Sequence, residues 1–304
     1  MLLDFIYQIK LLKKLIIIGA SGLLGSNWAK YALGKYNVYL GLNKRKISID
    51  GTKSIFLNIF NEDELKKKLE KINPSIVINC SGLTNVELCE KNEKEAYKLN
   101  SLIPGVLSKI CNDLNYKFIQ ISTDHIFCGT KKYRKETEFP EPKNIYAKSK
   151  LLGEQKALEN NKNSLVIRTN FYGKGPAYRP SFSDFIVNNL INGHQINLFN
   201  DMFYTPIHIN ELLNNVHSLL NINSSGIFNV VSDHRISKYD FGILIAKKLN
   251  LDVDLIKMAK LSERKDLTVR PFDLSLSNEK LKKHLNLSLI SLHNDIELLN
   301  KLKI

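Results

Sequence analysis

Lys14-Leu15-Ile16-Ile17-Ile18-Gly19-Ala20-Ser21-Gly22-Leu23-Leu24-Gly25 decides the fold of this chain. A short β-branched apolar run ends in three glycines spaced three apart, and the residues from Ser26 to Leu33 read as a helix. Strand, glycine turn and helix in that order form a phosphate-binding unit. Glycines let the backbone approach a pyrophosphate closely, and the helix start offers free N–H groups and the positive dipole end. The spacing G-x-x-G-x-x-G differs from the ordinary dinucleotide fingerprint. An acid for the adenosine ribose is expected about twenty residues on, but Asn43-Lys44-Arg45-Lys46 stands there instead. Three cations and no acid favour a 2′-phosphate, so the expected cofactor is NADPH, with NADH as the alternative.

The alternation continues outward. Strands are predicted at 37–42, 54–57, 75–79, 117–122 and 164–168. Helices are predicted at 62–71 and 145–159, with one or two over 91–115 and a kink at Pro104. The strands are continuous apolar runs, as when helices cover both faces of a parallel sheet. The expectation is an α/β, Rossmann-type, doubly wound parallel sheet over residues 1–170, with 204–222 packing back on it. After Asn170 the rhythm is lost. A Gly/Pro-rich loop at 173–180 is followed by helices at 183–192, 210–220, 238–249 and 277–285. Residues 171–304 therefore read as a smaller, mixed substrate domain. Residues 1–12 read as a surface extension, with an amphipathic turn on the sheet edge or a partner contact as alternatives.

The chain has 304 residues, 43% hydrophobic and 24% charged, which excludes a disordered chain. No apolar run reaches the roughly 20 residues of a membrane span. The first twelve residues lack the charge pattern and cleavage site of a signal peptide. Cys80, Cys89, Cys111 and Cys128 form no CxxC pair and join no His cluster, so reduced thiols, a cytoplasmic location and no metal are expected. The net charge of +14 comes from 44 Lys and Arg against 30 Asp and Glu. The basic clusters are short and lack interleaved aromatics, which argues against nucleic acid or membrane partners.

Tyr146-Ala147-Lys148-Ser149-Lys150 opens a predicted helix, and the four-residue separation puts Tyr146 and Lys150 one turn apart on one face. A neighbouring ammonium favours the phenolate, so Lys150 is expected to lower the pKa of Tyr146 from its usual ~10. Ser122-Thr123 ends a buried strand, where parallel sheets place ligand chemistry. Thr123, Tyr146 and Lys150 are the candidate catalytic set.

The glycine turn, the Ser122-Thr123 strand end and YxxxK resemble extended short-chain dehydrogenases/reductases. More narrowly, Ile121-Ser122-Thr123-Asp124-His125-Ile126-Phe127-Cys128-Gly129 resembles the STDYVF-x-G segment of dTDP-4-dehydrorhamnose reductases, and 77–87, 146–154, 201–207 and Arg270-Pro271 resemble other segments of the same enzymes. The resemblance spans 14–285. It implies NAD(P)H-dependent reduction of a 4-keto group on a nucleotide-linked deoxysugar, in making a cell-surface polysaccharide sugar. By it Tyr146 is the general acid, Lys150 tunes it and holds the nicotinamide ribose, and Thr123 orients the carbonyl. Gly19, Ser21, Gly22, Leu23, Leu24 and Gly25 would cradle the pyrophosphate. Asn43, Lys44 and Arg45 would face the adenosine, and Cys80, Ser81 and Gly82 would line the cofactor. Thr84, Asn85, His125, Asn170, Phe171 and Arg270 would meet the substrate, with Arg179, Arg270 or nearby lysines candidates for its diphosphate. His125 replaces a usual Tyr, Phe171 lies near a usual Trp and Asn58 replaces an Asp, which leaves the sugar and nucleotide open. A homodimer is expected by analogy. The rival readings are a nucleotide-sugar epimerase or dehydratase of the same superfamily, and a non-catalytic nucleotide-binding regulatory subunit such as the family's member associated with methionine adenosyltransferase.

Overall fold

The opening run forms β1 (Lys14–Ile18), whose last four residues are buried, and the chain turns through Gly19 into α1 (Leu23–Ala32). The structure is a computed structural model, described here for residues 12–288, 290–292, 296 and 299. The N-terminal extension therefore lies outside the described residues, apart from Leu12.

From α1 the chain runs through β2 (Asn37–Leu42), β3 (Lys53–Phe56), α2 (Glu62–Ile72) and β4 (Ile76–Asn79). Next come α3 (Val86–Lys91), α4 (Glu93–Tyr97), a π-helical turn (Lys98–Leu102), α5 (Ile103–Asp113), β5 (Lys117–Ile121), α6 (Ile145–Asn160) and β6 (Leu165–Arg168). Beyond these lie β7 (Phe171–Tyr172), α7 (Phe182–Ile191), β8 (Ile196–Phe199), β9 (Phe203–Tyr204), β10 (Ile207–His208) and α8 (Ile209–Asn221). The described elements end with β11 (Gly226–Asn229), β12 (Ile236–Ser237), α9 (Lys238–Leu249), β13 (Ile256–Ala259) and α10 (Glu279–Leu285).

Seven strands make one sheet in the order β11-β6-β5-β4-β1-β2-β3, and every pair is parallel. The expected doubly wound sheet is thus observed. Its order reverses between β1 and β4, which opens a crevice at their C-terminal ends. One face carries Leu15, Ile17, Trp28, Ile78, Ile119 and Ile167; the other carries Ile16, Ile18, Val77, Leu107 and Phe118. α8 joins the first face through Ile209, Leu212, Leu213, Val216 and Leu219, lying against α1. A separate cluster, including Ile186, Leu198, Tyr204, Phe241 and Ile245, holds α7, α9 and the short strands β8 and β13.

Several boundaries differ from expectation for physical reasons. α1 starts at Leu23, not Ser26, because Gly22 takes the extended N-cap conformation. No strand is predicted at 226–229, yet Gly226–Asn229 pairs with Leu165–Arg168 at the sheet edge. Its βαβ partner β6 precedes it by an insertion that holds the second cluster, so the sequence rhythm is interrupted. Pro104 sits in the first turn of α5 and causes no break. The irregularity is the π turn before it, where the buried Asn100 side chain bonds Leu83 and Ser149.

Candidate functional site

The glycine turn sits at the crevice. Gly19 has φ +79°, and a Cβ there would lie 2.8 Å from Ser81 N, so the left-handed turn and the neighbouring strand end both require glycine. At Gly25 a Cβ would lie 2.5 Å from Gly19 O, and this closeness seats α1 on the turn. Gly22 caps α1 without a side-chain bond, and no acid lies in its first turn. The first-turn N–H groups of α1 therefore receive no side-chain cap, and with the dipole end they suit a diphosphate. Asn43, Lys44, Arg45 and Lys46 are exposed just past β2. The Arg45 guanidinium lies 4.3 Å from the Tyr178 ring centroid, and the Tyr178 hydroxyl donates to Ser21 O at 2.9 Å. Asn27 Nδ2 donates to Lys174 O at 2.9 Å, so the 174–179 loop lies across the turn. These residues fit a dinucleotide that carries an extra phosphate.

Cys80 follows β4, its N–H bonding Ile18 O, and Ser81 donates to Asn79 Oδ1 at 2.6 Å. Burial pushes the Cys80 thiol up to about 12, so it stays protonated. At Gly82 a Cβ would lie 2.8 Å from Asn100 Oδ1.

The ends of β5 and α6 bring the Thr–Tyr–Lys set together. Asn144 caps α6 by accepting from Ala147 N, which fixes the turn carrying Tyr146. Tyr146 is 9% exposed, and its hydroxyl is hydrogen-bonded to the Thr123 side chain. One turn on, Lys150 Nζ donates to Ile121 O at 2.6 Å. Burial pulls the Lys150 ammonium down to about 8, against the opposing pull of Glu154. The expectation that Lys150 makes Tyr146 more acidic is corrected. Burial raises the phenol, the Asp124 charge adds to that, and the Thr123 bond only partly opposes it. Tyr146 is therefore a neutral, proton-bearing phenol at pH 7. Such a group can give a proton to an oxygen held beside Thr123.

Beneath the set, Arg168 and Glu154 form an ion pair at 2.7 Å, each side chain 2% exposed, and the Ser122 hydroxyl donates to Glu154. The pair locks α6 to β6. At Gly153 a Cβ would meet Asn100 O at 2.0 Å, so α6 packs directly on the π turn.

The expected substrate residues divide. His125 stands edge-on to Tyr146, ring centroids 5.5 Å apart; its Nδ1 is buried without a partner, and burial lowers its basicity. Asn170 donates to Asp124 Oδ2 at 2.6 Å, which ties the β6 end to the β5 end. Phe171 pairs with Ile207 in β7–β10 and packs on the sheet core. Asn85 caps α3 by accepting from Leu88 N, and Thr84 Oγ1 accepts from Arg179 at 3.2 Å. Arg270 is held by both oxygens of Glu87, at 2.6 and 2.8 Å. Its charge is thus already matched, and it is not the free diphosphate partner that the sequence suggested.

Four further residues reach the site. Asp124, 1% exposed, accepts from Thr123 and Asn170. Asn100 sets the Leu83 backbone and Ser149. Lys238 and Tyr204 arrive from the second cluster, the ammonium 3.3 Å from the Tyr204 ring centroid. Asp124 adjoins Thr123 in sequence; nothing local marks the other three. Among the described residues all four cysteines are free, no group of His, Cys, Asp or Glu could hold a metal ion, and no helix is long and apolar enough to cross a membrane.

A doubly wound sheet with this glycine turn and a YxxxK helix beside it defines an enzyme of the short-chain dehydrogenase/reductase class. The chain belongs to the RmlD substrate binding domain family, whose profile matches residues 13–302. It is 28% identical over 284 residues to the probable low-salt glycan biosynthesis reductase Agl14 of Haloferax volcanii, covering 92% of this chain and 95% of that one. It is 24% identical to methionine adenosyltransferase 2 subunit beta of Xenopus laevis, covering 89% and 82%. A crystal structure of a hypothetical dTDP-4-dehydrorhamnose reductase from Sulfolobus tokodaii superimposes with a TM-score of 0.82 at 29% identity, covering 93% and 98%.

Proposed function

We propose that this protein reduces the 4-keto group of a nucleotide-linked deoxysugar with NADPH, in cytoplasmic synthesis of a surface polysaccharide sugar. The carrying observation is the buried, proton-bearing Tyr146, hydrogen-bonded to Thr123 at the strand end beside the glycine turn. Residues 1–170, with 204–222, bind the cofactor, and 171–304 select the substrate.

The cofactor, when bound, supplies the hydride. Gly19, Ser21, Gly22, Leu23, Leu24 and Gly25 hold its diphosphate, and Asn43, Lys44 and Arg45 meet the adenosine 2′-phosphate. Cys80, Ser81 and Gly82 wall the crevice. Thr123 turns its hydroxyl proton from Asp124 to the substrate carbonyl and sets that carbonyl within reach of Tyr146. As negative charge grows on that oxygen, the phenol O–H bond breaks and the proton passes to the oxygen, leaving a phenolate. Lys150, one turn below, holds the nicotinamide ribose. Asn170 fixes Asp124 beside Thr123 through their bond.

His125 favours reduction over elimination, because dehydratases of this superfamily commonly carry an acid at that position. The exposed cations after β2 favour a phosphorylated, dissociable cofactor over the tightly kept NAD of epimerases. Thr123, Tyr146 and Lys150 are all present, which favours catalysis over a regulatory subunit. The test is NADPH oxidation across a panel of dTDP- and UDP-linked 4-keto sugars. Stoichiometric consumption supports the reading, and a silent panel refutes it.

A further inference from the structure

Lys238 opens α9, and its backbone N–H donates to Met202 O at 3.0 Å. Its ammonium faces two rings, 3.3 Å from the Tyr204 centroid and 4.7 Å from that of Phe182. Among the described residues that ammonium has no hydrogen bond and no ion pair. Asp124 attracts it from beyond ion-pair distance, and both Asp124 oxygens already accept, from Thr123 and Asn170. Two more polar groups nearby are unspent: the hydroxyl of Tyr204, which is 2% exposed, and Nδ1 of His125. His125 feels the charge of Lys238 and stands against Tyr146, so this corner adjoins the proton donor. Arg270, the other cation that reaches His125, is matched by Glu87.

The corner has donors left over, and its carboxylate is taken. The Tyr204 hydroxyl and His125 Nδ1 are buried without a partner, which is unfavourable, and the half-buried Lys238 ammonium has aromatic faces in place of part of its hydration. A ligand that supplied acceptor oxygens would satisfy all three groups at once. Charge-assisted bonds to an oxyanion are the strongest such contacts.

We infer that Lys238 is a specificity-determining residue of the substrate pocket, and that its ammonium, the Tyr204 hydroxyl and His125 Nδ1 bind an oxyanion of the substrate beside Tyr146. In a nucleotide-linked sugar the oxyanion is either a phosphate of the diphosphate or a carboxylate on the sugar. The name given to the substrate rests on the reductase reading; the anion site itself does not.

The test is calorimetric titration of the wild type, Lys238→Met, Lys238→Arg and Tyr204→Phe with dTDP, inorganic pyrophosphate, D-glucuronate and D-glucose, with and without NADPH. Circular dichroism checks the fold of each variant. The wild type is expected to bind at least one anionic probe. Lys238→Met should weaken that probe by about tenfold or more, and Lys238→Arg should recover most of the loss. Tyr204→Phe, which removes only a hydroxyl, should weaken the same probe by about threefold. Loss of dTDP and pyrophosphate assigns the diphosphate; loss of glucuronate alone assigns a sugar carboxylate. Binding of no anion by the wild type overturns the inference. So do affinities within about twofold in Lys238→Met or, should that variant not fold, in Tyr204→Phe. The NADPH titration is read separately: a wild type that binds the anion but no NADPH retains the anion site and loses the reductase reading.

Discussion

Replacing Tyr146 with Phe removes one oxygen from a site that is 9% exposed and leaves the ring against His125. In the proposed reaction that oxygen carries the proton that passes to the substrate. A placed general acid contributes about 10²–10⁴-fold, or about 3–5 kcal/mol of barrier at ~1.4 kcal/mol per decade. The structural cost is much smaller. Thr123 loses one bond and keeps those to Asp124 and the His125 N–H, so stability should fall by only about 1 kcal/mol. The glycine turn is untouched, so NADPH affinity should stay within about threefold. Steady-state NADPH oxidation measures the turnover, quenching of tyrosine and tryptophan fluorescence the affinity, and urea denaturation the stability. Turnover within about tenfold of wild type would refute Tyr146 as the proton donor. A matching collapse of cofactor affinity and stability would show that the residue is structural.

Lys150→Met tests the buried ammonium. Below about pH 8 both folded and unfolded chains hold this proton; between about 8 and the ordinary 10.5 only the unfolded chain does, so stability should rise with pH. Urea denaturation should show wild type gaining up to about 3 kcal/mol relative to Lys150→Met across that window; a flat or falling difference contradicts the burial argument. Lys238, drawn down to about 8 by the same cause, is present in both proteins and cancels. Glu154→Ala leaves the Arg168 guanidinium buried without its carboxylate and should cost about 3–5 kcal/mol in denaturant stability; a loss below about 1 kcal/mol would show that the pair is not closed to water. Lys44→Ala with Arg45→Ala should raise KM for NADPH about tenfold or more and leave KM for NADH nearly unchanged, whereas equal effects would remove the 2′-phosphate assignment.

The sheet was legible because its central strands β1 and β4 are apolar runs and the glycine turn marks where the first one ends. Tyr146 and Lys150 were legible as a pair because four residues make about one helical turn. What escaped depends on contacts between distant segments. β11 completes a crossover interrupted by the second cluster. Lys238 and Tyr204 reach the site only because β9 pairs with β12 just before α9. Arg270 read as an available cation until folding placed Glu87 against it. The direction of the Tyr146 shift depends on burial, and a helical spacing says nothing of how much water remains around a phenol. The same folding turned Asn85, a candidate substrate ligand, into the cap of α3.

The most direct measurement follows a label. NADPH deuterated at the transferring position of its nicotinamide C4 is incubated with a nucleotide-linked 4-keto deoxysugar, and the product is read by NMR. The account predicts one deuterium on sugar C4 for each NADPH consumed, with transfer lost in Tyr146→Phe. A sugar epimerised or dehydrated without deuterium, its NADPH unspent, would contradict it.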